Sequence, residues 1–166
     1  AEAFINSNQE EALGNFDAAI MMGDYDKTAK TDAYFWRGEL NYRMGNFQSA
    51  VNDYQTYVNR ASAGDVNYTQ SLYNLGYSYF NTKQYSKAVG NFQKYVSSEK
   101  DKTKATYADA LNRLGDCQLF SRQFAEAERY YSQAASASPS SADYAEYQKA
   151  FVLGLQRNYV GKVSAL

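Results

Sequence analysis

The side chains that carry most enzyme chemistry are scarce in this chain of 166 residues, which has no histidine and a single cysteine, Cys117. Without an imidazole there is no Ser-His-Asp or Cys-His arrangement, and a zinc site would have to combine carboxylates with the one thiol. No G-x-x-x-x-G-K-[ST] or G-x-G-x-x-G run is present to cradle phosphates. The acidic pairs Glu10-Glu11 and Glu126/Glu128 fall on predicted helix surfaces beside basic residues or open solvent. Acid-base catalysis needs carboxylates perturbed by burial, so these pairs read as a solvated face. Cys117 reads as a small buried apolar residue rather than a reactive thiol. Asn67-Tyr68-Thr69 is a formal glycosylation triplet that matters only in a eukaryotic secretory setting. The sequence thus predicts no enzyme, no cofactor and no metal site.

What the chain has in abundance is aromatic surface: 17 Tyr and 9 Phe, with 17 basic residues against 18 acidic and a formal net charge of -1. This near-neutral balance without a basic block argues against nucleic acid or an anionic membrane as the main partner. The longest apolar stretch, around "AFVLGL", is far shorter than the roughly 20 residues a membrane-spanning helix needs. The chain opens on "AEAFINSNQ", so a targeting segment is expected to be removed or to lie outside it.

The elements that carry these rings repeat. Apolar and small residues recur at gaps of three and four, the helical period, as at Leu72, Leu75, Gly76, Tyr79 and Phe80. Gly38, Gly76 and Gly115 stand in one register: nine residues after each comes Phe47, Tyr85 or Phe124, and twelve after comes Ala50, Ala88 or Ala127. Sixteen after comes Tyr54, Phe92 or Tyr131, and nineteen after comes Tyr57, Tyr95 or Ala134. Glycine inside a helix costs roughly 1 kcal/mol relative to alanine, so its recurrence marks close approach of a neighbouring helix. The aromatics fill the spaces between helices. The period describes stacked helical hairpins, each too one-sided to be stable alone.

These residues resemble the tetratricopeptide repeat family. "LYNLGYSYFNTKQYSKAVGNFQKY" (72–95) matches its pattern through Leu75-Gly76, Tyr79, Tyr85, Ala88 and Phe92, and the stretch 111–134 through Leu114-Gly115, Phe124, Ala127 and Tyr131, with Pro139 at the closing proline. The stretch 34–57 departs from it with Arg37 for the leucine and Asn41 for the tyrosine. The resemblance implies an all-α fold, a right-handed α-solenoid of antiparallel hairpins with about nine helices. The helices are expected at 8–22, 32–44, 47–59, 66–82, 85–98, 104–121, 124–136, 141–156 and 159–166. Residues 24–30 are expected to form an extended loop, with Thr31-Asp32 opening one helix and Ser140 capping another. The chain divides into a partial hairpin over 1–30, repeats at 31–67, 68–106 and 107–140, and a partial repeat over 141–166. It reads as a segment of a longer array, with self-association through exposed ends as the alternative.

In this family the leading helices line a concave, ligand-holding face. By register that face takes Asp32, Phe35, Glu39, Tyr42 and Arg43 from the first repeat and Gln70, Tyr73, Asn74, Tyr77, Phe80 and Asn81 from the second. Asp109, Asn112, Arg113, Asp116 and Phe120 follow, and then Tyr144, Tyr147 and Phe151. Rings interleaved with amides and carboxylates suit an extended peptide. Of the family's clamp for acidic C-terminal tails only Asn74 and Arg113 remain, so the expected partner is a protein or peptide segment that is neutral or basic. The expected function is a non-catalytic protein-protein interaction scaffold. Carbohydrate binding by the exposed rings and a self-assembling structural segment are the alternatives. The Tyr/Asn/Ser-rich composition is similar to that of bacterial envelope-associated repeat proteins, which implies the periplasm or cell envelope rather than the cytoplasm.

Overall fold

The computed structural model describes the backbone of residues 2–22 and 26–163, and the side chains of 8–22, 26–138 and 142–157. The described residues form eight α-helices and no strand: α1 (Glu2–Met22), α2 (Lys27–Arg43), α3 (Phe47–Arg60), α4 (Tyr68–Asn81), α5 (Tyr85–Ser98), α6 (Ala105–Phe120), α7 (Phe124–Ala137) and α8 (Pro139–Val163). None is long and apolar enough to cross a membrane.

The chain folds as two compact units, residues 1–83 and 84–166. In the first, α1 packs on α2, α2 and α3 form a hairpin, α3 packs on α4, and the leading helices α2 and α4 touch. In the second, α5 packs on α6, α6 and α7 form a hairpin, and α8 lies against both α7 and α6. Each hairpin closes through its glycine. A Cβ on Gly38 would lie 3.1 Å from Tyr54 Cδ1, and one on Gly115 would lie 2.5 Å from Tyr131 Cε1. Tyr54, Tyr131, Ala50, Ala88 and Ala127 are completely buried. The repeat is therefore a record of which residues meet between helices.

The turns that follow α2, α4 and α6 share one device. Seven residues after each repeat glycine the backbone takes a positive φ, at Gly45 (78°), Lys83 (59°) and Arg122 (58°). The Gly45 and Asn46 N–H groups donate to the carbonyls of Tyr42 (3.0 Å) and Asn41 (2.8 Å). Those of Arg122 and Gln123 donate to Leu119 (3.0 Å) and Gln118 (2.8 Å). This is the Schellman pattern, which satisfies the last carbonyls of a helix through one left-handed residue.

The structure corrects four boundaries. The helix expected from residue 32 begins at Lys27, because the Asp26 carboxylate accepts the N–H groups of Thr28 (2.9 Å) and Ala29 (3.0 Å). The described part of the predicted 24–30 loop is therefore mostly helix, and Thr31-Asp32 is interior; residues 24 and 25 lie outside the described residues. At the other end α8 starts at Pro139, so Ser140 is not its cap. The two final helices expected at 141–156 and 159–166 are one, α8, running through Arg157, the register of the other turns; residues 164–166 lie outside the described residues.

Candidate functional site

In the first unit, α2 and α4 carry the sequence-predicted site residues of the first two repeats. Glu39 is their polar centre. Its Oε2 accepts from the Tyr54 hydroxyl (2.9 Å) and from Asn74 Nδ2 (2.9 Å), and its Oε1 accepts from Arg43 Nε (3.1 Å) and Nη2 (3.0 Å). Asn74 Nδ2 also reaches the Tyr54 oxygen at 3.0 Å, and Asn74 Oδ1 accepts from Gln70 at 2.8 Å. Tyr73 and Tyr77, both half-buried, meet edge to face at 5.0 Å, and half-buried Tyr42 meets Phe47 at 5.4 Å. Phe80 is half-buried, while Arg43 and Asn81 are exposed. Phe35 is 4% exposed, with ring centroids of Trp36 at 4.9 Å and Tyr57 at 5.5 Å, so it packs in the core and offers no ligand surface.

In the second unit α6 and α8 build a similar station around Asp116. Its Oδ1 accepts from the hydroxyls of Tyr131 (2.7 Å) and Tyr144 (2.8 Å), and its Oδ2 lies 2.6 Å from Arg113 Nη1. The Arg113 guanidinium also lies 5.2 Å over the Tyr144 ring and within 3.6 Å of Asp109. Burial, reinforced by the carboxylate, pushes the Tyr131 hydroxyl far above its ordinary pKa. Tyr54 is raised the same way beside Glu39. Asp116 and Asn112 are buried, and the Asn112 Oδ1 has no hydrogen-bond partner. Tyr147 (69% exposed) and Phe151 (49%) form an aromatic ridge one turn apart on α8, with Tyr144 (38%) at its foot.

Sequence reasoning assigned Tyr54 and Tyr131 to packing alone and missed that their hydroxyls hold the face's carboxylates. The signal was in the repeat. A carboxylate follows the glycine where the ring sixteen on is tyrosine (Glu39/Tyr54, Asp116/Tyr131), whereas Tyr77 follows Gly76 where that ring is Phe92. The departures at Arg37 and Asn41 also belong together. Arg37 donates to buried Asp53 through Nε (3.0 Å to Oδ2) and Nη2, Asn41 Nδ2 donates to the same carboxylate (3.1 Å), and Arg37 Nη1 reaches Asp17 at 2.6 Å.

Cys117 is fully buried, and burial pushes its thiol up to about 12. Among the described residues no three His, Cys, Asp or Glu side chains gather as a metal site.

Models of the tetratricopeptide repeat match residues 32–62, 70–102 and 108–141. A search of curated protein sequences finds no match. Among solved structures, YrrB, described as a TPR protein with an unusual peptide-binding site, superposes with a TM-score of 0.73 at 20% identity, over 94% of this chain and 73% of its own. MamA superposes with a TM-score of 0.60 at 17% identity, over 89% of this chain and 92% of its own. BtubC (BKLC) from P. vanneervenii gives 0.53 at 17%, over 78% of this chain and 56% of that one. The matched repeats, the glycine-aromatic hairpins and the all-helical fold agree: the chain belongs to the tetratricopeptide repeat family.

Proposed function

We propose that the chain is a non-catalytic scaffold that holds an extended segment of another protein along its leading-helix faces. The observation that carries this reading is the α8 ridge, in which Tyr147 and Phe151 stand out from the surface above the fixed Arg113-Asp116-Tyr144 station. Large rings on a rigid support give contact area at little entropic cost, the usual character of a protein-binding hot spot. The family's general role in protein-protein interaction supports it, as does the peptide-binding site in the description of the YrrB structure.

The segment bound is neutral or basic. Acidic tails require uncompensated cations, and the face's arginines are engaged, Arg43 with Glu39 and Arg113 with Asp116 and Asp109. These ion pairs also use much of the acidity that the sequence suggested, so the rings contribute more to selection than the carboxylates. The test is panning of the immobilised chain against a display library of random peptides, followed by titration of enriched peptides against Tyr147→Ala/Phe151→Ala and Tyr73→Ala/Tyr77→Ala variants whose helicity is unchanged by circular dichroism. Enriched neutral or basic peptides that bind at least tenfold more weakly to one of these variants support the scaffold. Absence of enrichment, or equal binding by both variants, removes it.

A further inference from the structure

We propose that the first unit holds a small zwitterion, a free α-amino acid or a short unblocked peptide, in the cavity at the open end of the α2–α3 hairpin. This cavity of about 440 Å³ lies between the start of α2, the end of α3 and the segment that follows α3. Its volume is within the range of small-molecule sites. Two cations, Lys27 and Arg60, and two carboxylates, Asp32 and Asp65, line it. Among the described residues none of these four side chains takes part in an ion pair.

Local structure keeps the opposite charges apart. Lys27 and Asp32 stand five residues apart on α2, off the spacing of three or four at which side chains on a helix meet. The Arg60 guanidinium lies 5.4 Å over the Tyr34 ring, and Asp65 Oδ2 accepts the Ser62 N–H at 2.9 Å. The two carboxylates are near one hydroxyl, that of Tyr57, which also lines the cavity. Burial first, and then the charges of Asp32 and Asp65, push that hydroxyl up to about 12. The acids therefore share one region of the wall.

That region fits an ammonium group, which has three N–H donors. Asp32 and Asp65 accept two of them. Thr31 Oγ1 accepts the third, since it donates its own proton to the Lys27 carbonyl at 2.8 Å and keeps its lone pairs. A ligand carboxylate meets the planar donor fork of Arg60 and the point charge of Lys27. A simple cation would leave both basic side chains uncompensated, a simple anion both acids, and a neutral sugar all four. A ligand that carries both charges compensates the whole set and adds no net charge.

The test is isothermal titration calorimetry of the 166-residue chain with each common free amino acid and with trialanine. The N-acetyl amide of each compound, which lacks both backbone charges, is titrated beside it. At least one unblocked compound is expected to bind, its blocked form being weaker by about tenfold or more. An amino acid that outbinds trialanine identifies free amino acids as the source, and the reverse order identifies peptides. Asp32 is half-buried and Arg60 exposed, so Asp32→Asn and Arg60→Gln are expected to keep their helicity by circular dichroism. Each is expected to weaken the binding by about tenfold. Tyr147→Ala/Phe151→Ala is expected to leave it unchanged, which separates the cavity from the α8 ridge. The proposal fails if no unblocked compound binds, or if blocked and unblocked forms bind alike. It also fails if the Asp32 and Arg60 variants bind as the unaltered chain does, or if the ridge variant loses the binding instead.

Discussion

The Tyr131 hydroxyl donates to Asp116 Oδ1 at 2.7 Å from a ring that is completely buried against Gly115. One side chain therefore does two jobs, filling the hairpin and fixing a carboxylate on the leading-helix face. Tyr131→Phe retains the first and removes the second, and Phe92 at the same register shows that a phenylalanine ring suits a second helix of this kind. A hydrogen bond to a charged group contributes about 1.5–3 kcal/mol. Since Tyr144 and Arg113 still hold Asp116, the loss is expected at the lower end. Chemical denaturation of the variant, with the cycle through Asp116→Ala, measures it; additivity of the two substitutions would show that the hydroxyl and carboxylate are not coupled.

The two glycines that admit these rings are expected to differ. A Cβ at position 115 meets Tyr131 carbons at 2.5 to 2.8 Å, and that ring is held by its core packing and by Asp116. Gly115→Ala therefore overpacks a site that cannot yield, at a cost of about 1–3 kcal/mol or more. At position 38 the nearest atoms are 3.1 and 3.2 Å away, so a shift of a few tenths of an ångström relieves the contact. Alanine's helix propensity offsets roughly 1 kcal/mol, leaving Gly38→Ala close to neutral. Thermal melts of the two variants check the order, and equal shifts would refute it.

The hairpin positions were legible because packing between helices imposes a period on sequence, and Gly38, Ala50 and Tyr54 recur in each register for that reason. What the sequence concealed was polar. The start of α2 depends on Asp26 accepting two backbone N–H groups, and "DKTAKT" has no apolar period to show it. The missing hairpin at Arg157 was hidden because Lys83 and Arg122 turn without glycine, so residue type does not mark the turn. On the candidate face, register alone treated Phe35 and Tyr147 as equivalent. The structure buries the first and exposes the second, a difference set by neighbouring helices rather than by position within the repeat.

The turns at Lys83 and Arg122 can be improved. Both hold a side chain at a φ near 60°, where a Cβ crowds the following carbonyl at a cost of roughly 1–2 kcal/mol, whereas Gly45 adopts the same conformation freely. Part of that gain is returned through the greater freedom of an unfolded glycine. Lys83→Gly and Arg122→Gly are each expected to stabilise the chain by about 0.5–1 kcal/mol, and Gly45→Ala to destabilise it by about 1 kcal/mol. Denaturant midpoints that move the opposite way would show the turns to be held by side-chain contacts instead.

Arg37 stands where the family places leucine, yet Arg37→Leu is expected to destabilise this chain. Asp53 is 3% exposed, and its carboxylate is held by Arg37 and Asn41. Removing the cation leaves a buried charge without compensation, which costs about 3–5 kcal/mol. Adding Asp53→Leu to Arg37→Leu removes the stranded charge and is expected to recover most of the loss, because apolar replacement of a buried pair is often neutral or better. Urea titration of the single and double variants decides the matter. A double variant no more stable than the single would mean that the carboxylate's burial is not the cause.

Alkali is expected to unfold the chain before its most buried tyrosines can ionise in the folded state. Burial raises the hydroxyls of Tyr54 and Tyr131 far above the ordinary value of 10.0 and that of Tyr57 to about 12, so the folded state keeps protons that the unfolded chain releases. The sign follows. Below pH 10 both states hold these protons and stability is independent of them. Above pH 10 the unfolded chain is favoured by about 1.4 kcal/mol per pH unit for each such tyrosine, until the folded pKa is reached. Absorbance of tyrosinate and circular dichroism followed together from pH 9 to pH 12 are expected to show part of the tyrosinate signal rising first with the helices intact. A second set of tyrosines then ionises in step with loss of helix. Titration of all 17 tyrosines in a single step near pH 10, with helicity retained, would contradict the buried hydroxyl networks around Glu39 and Asp116.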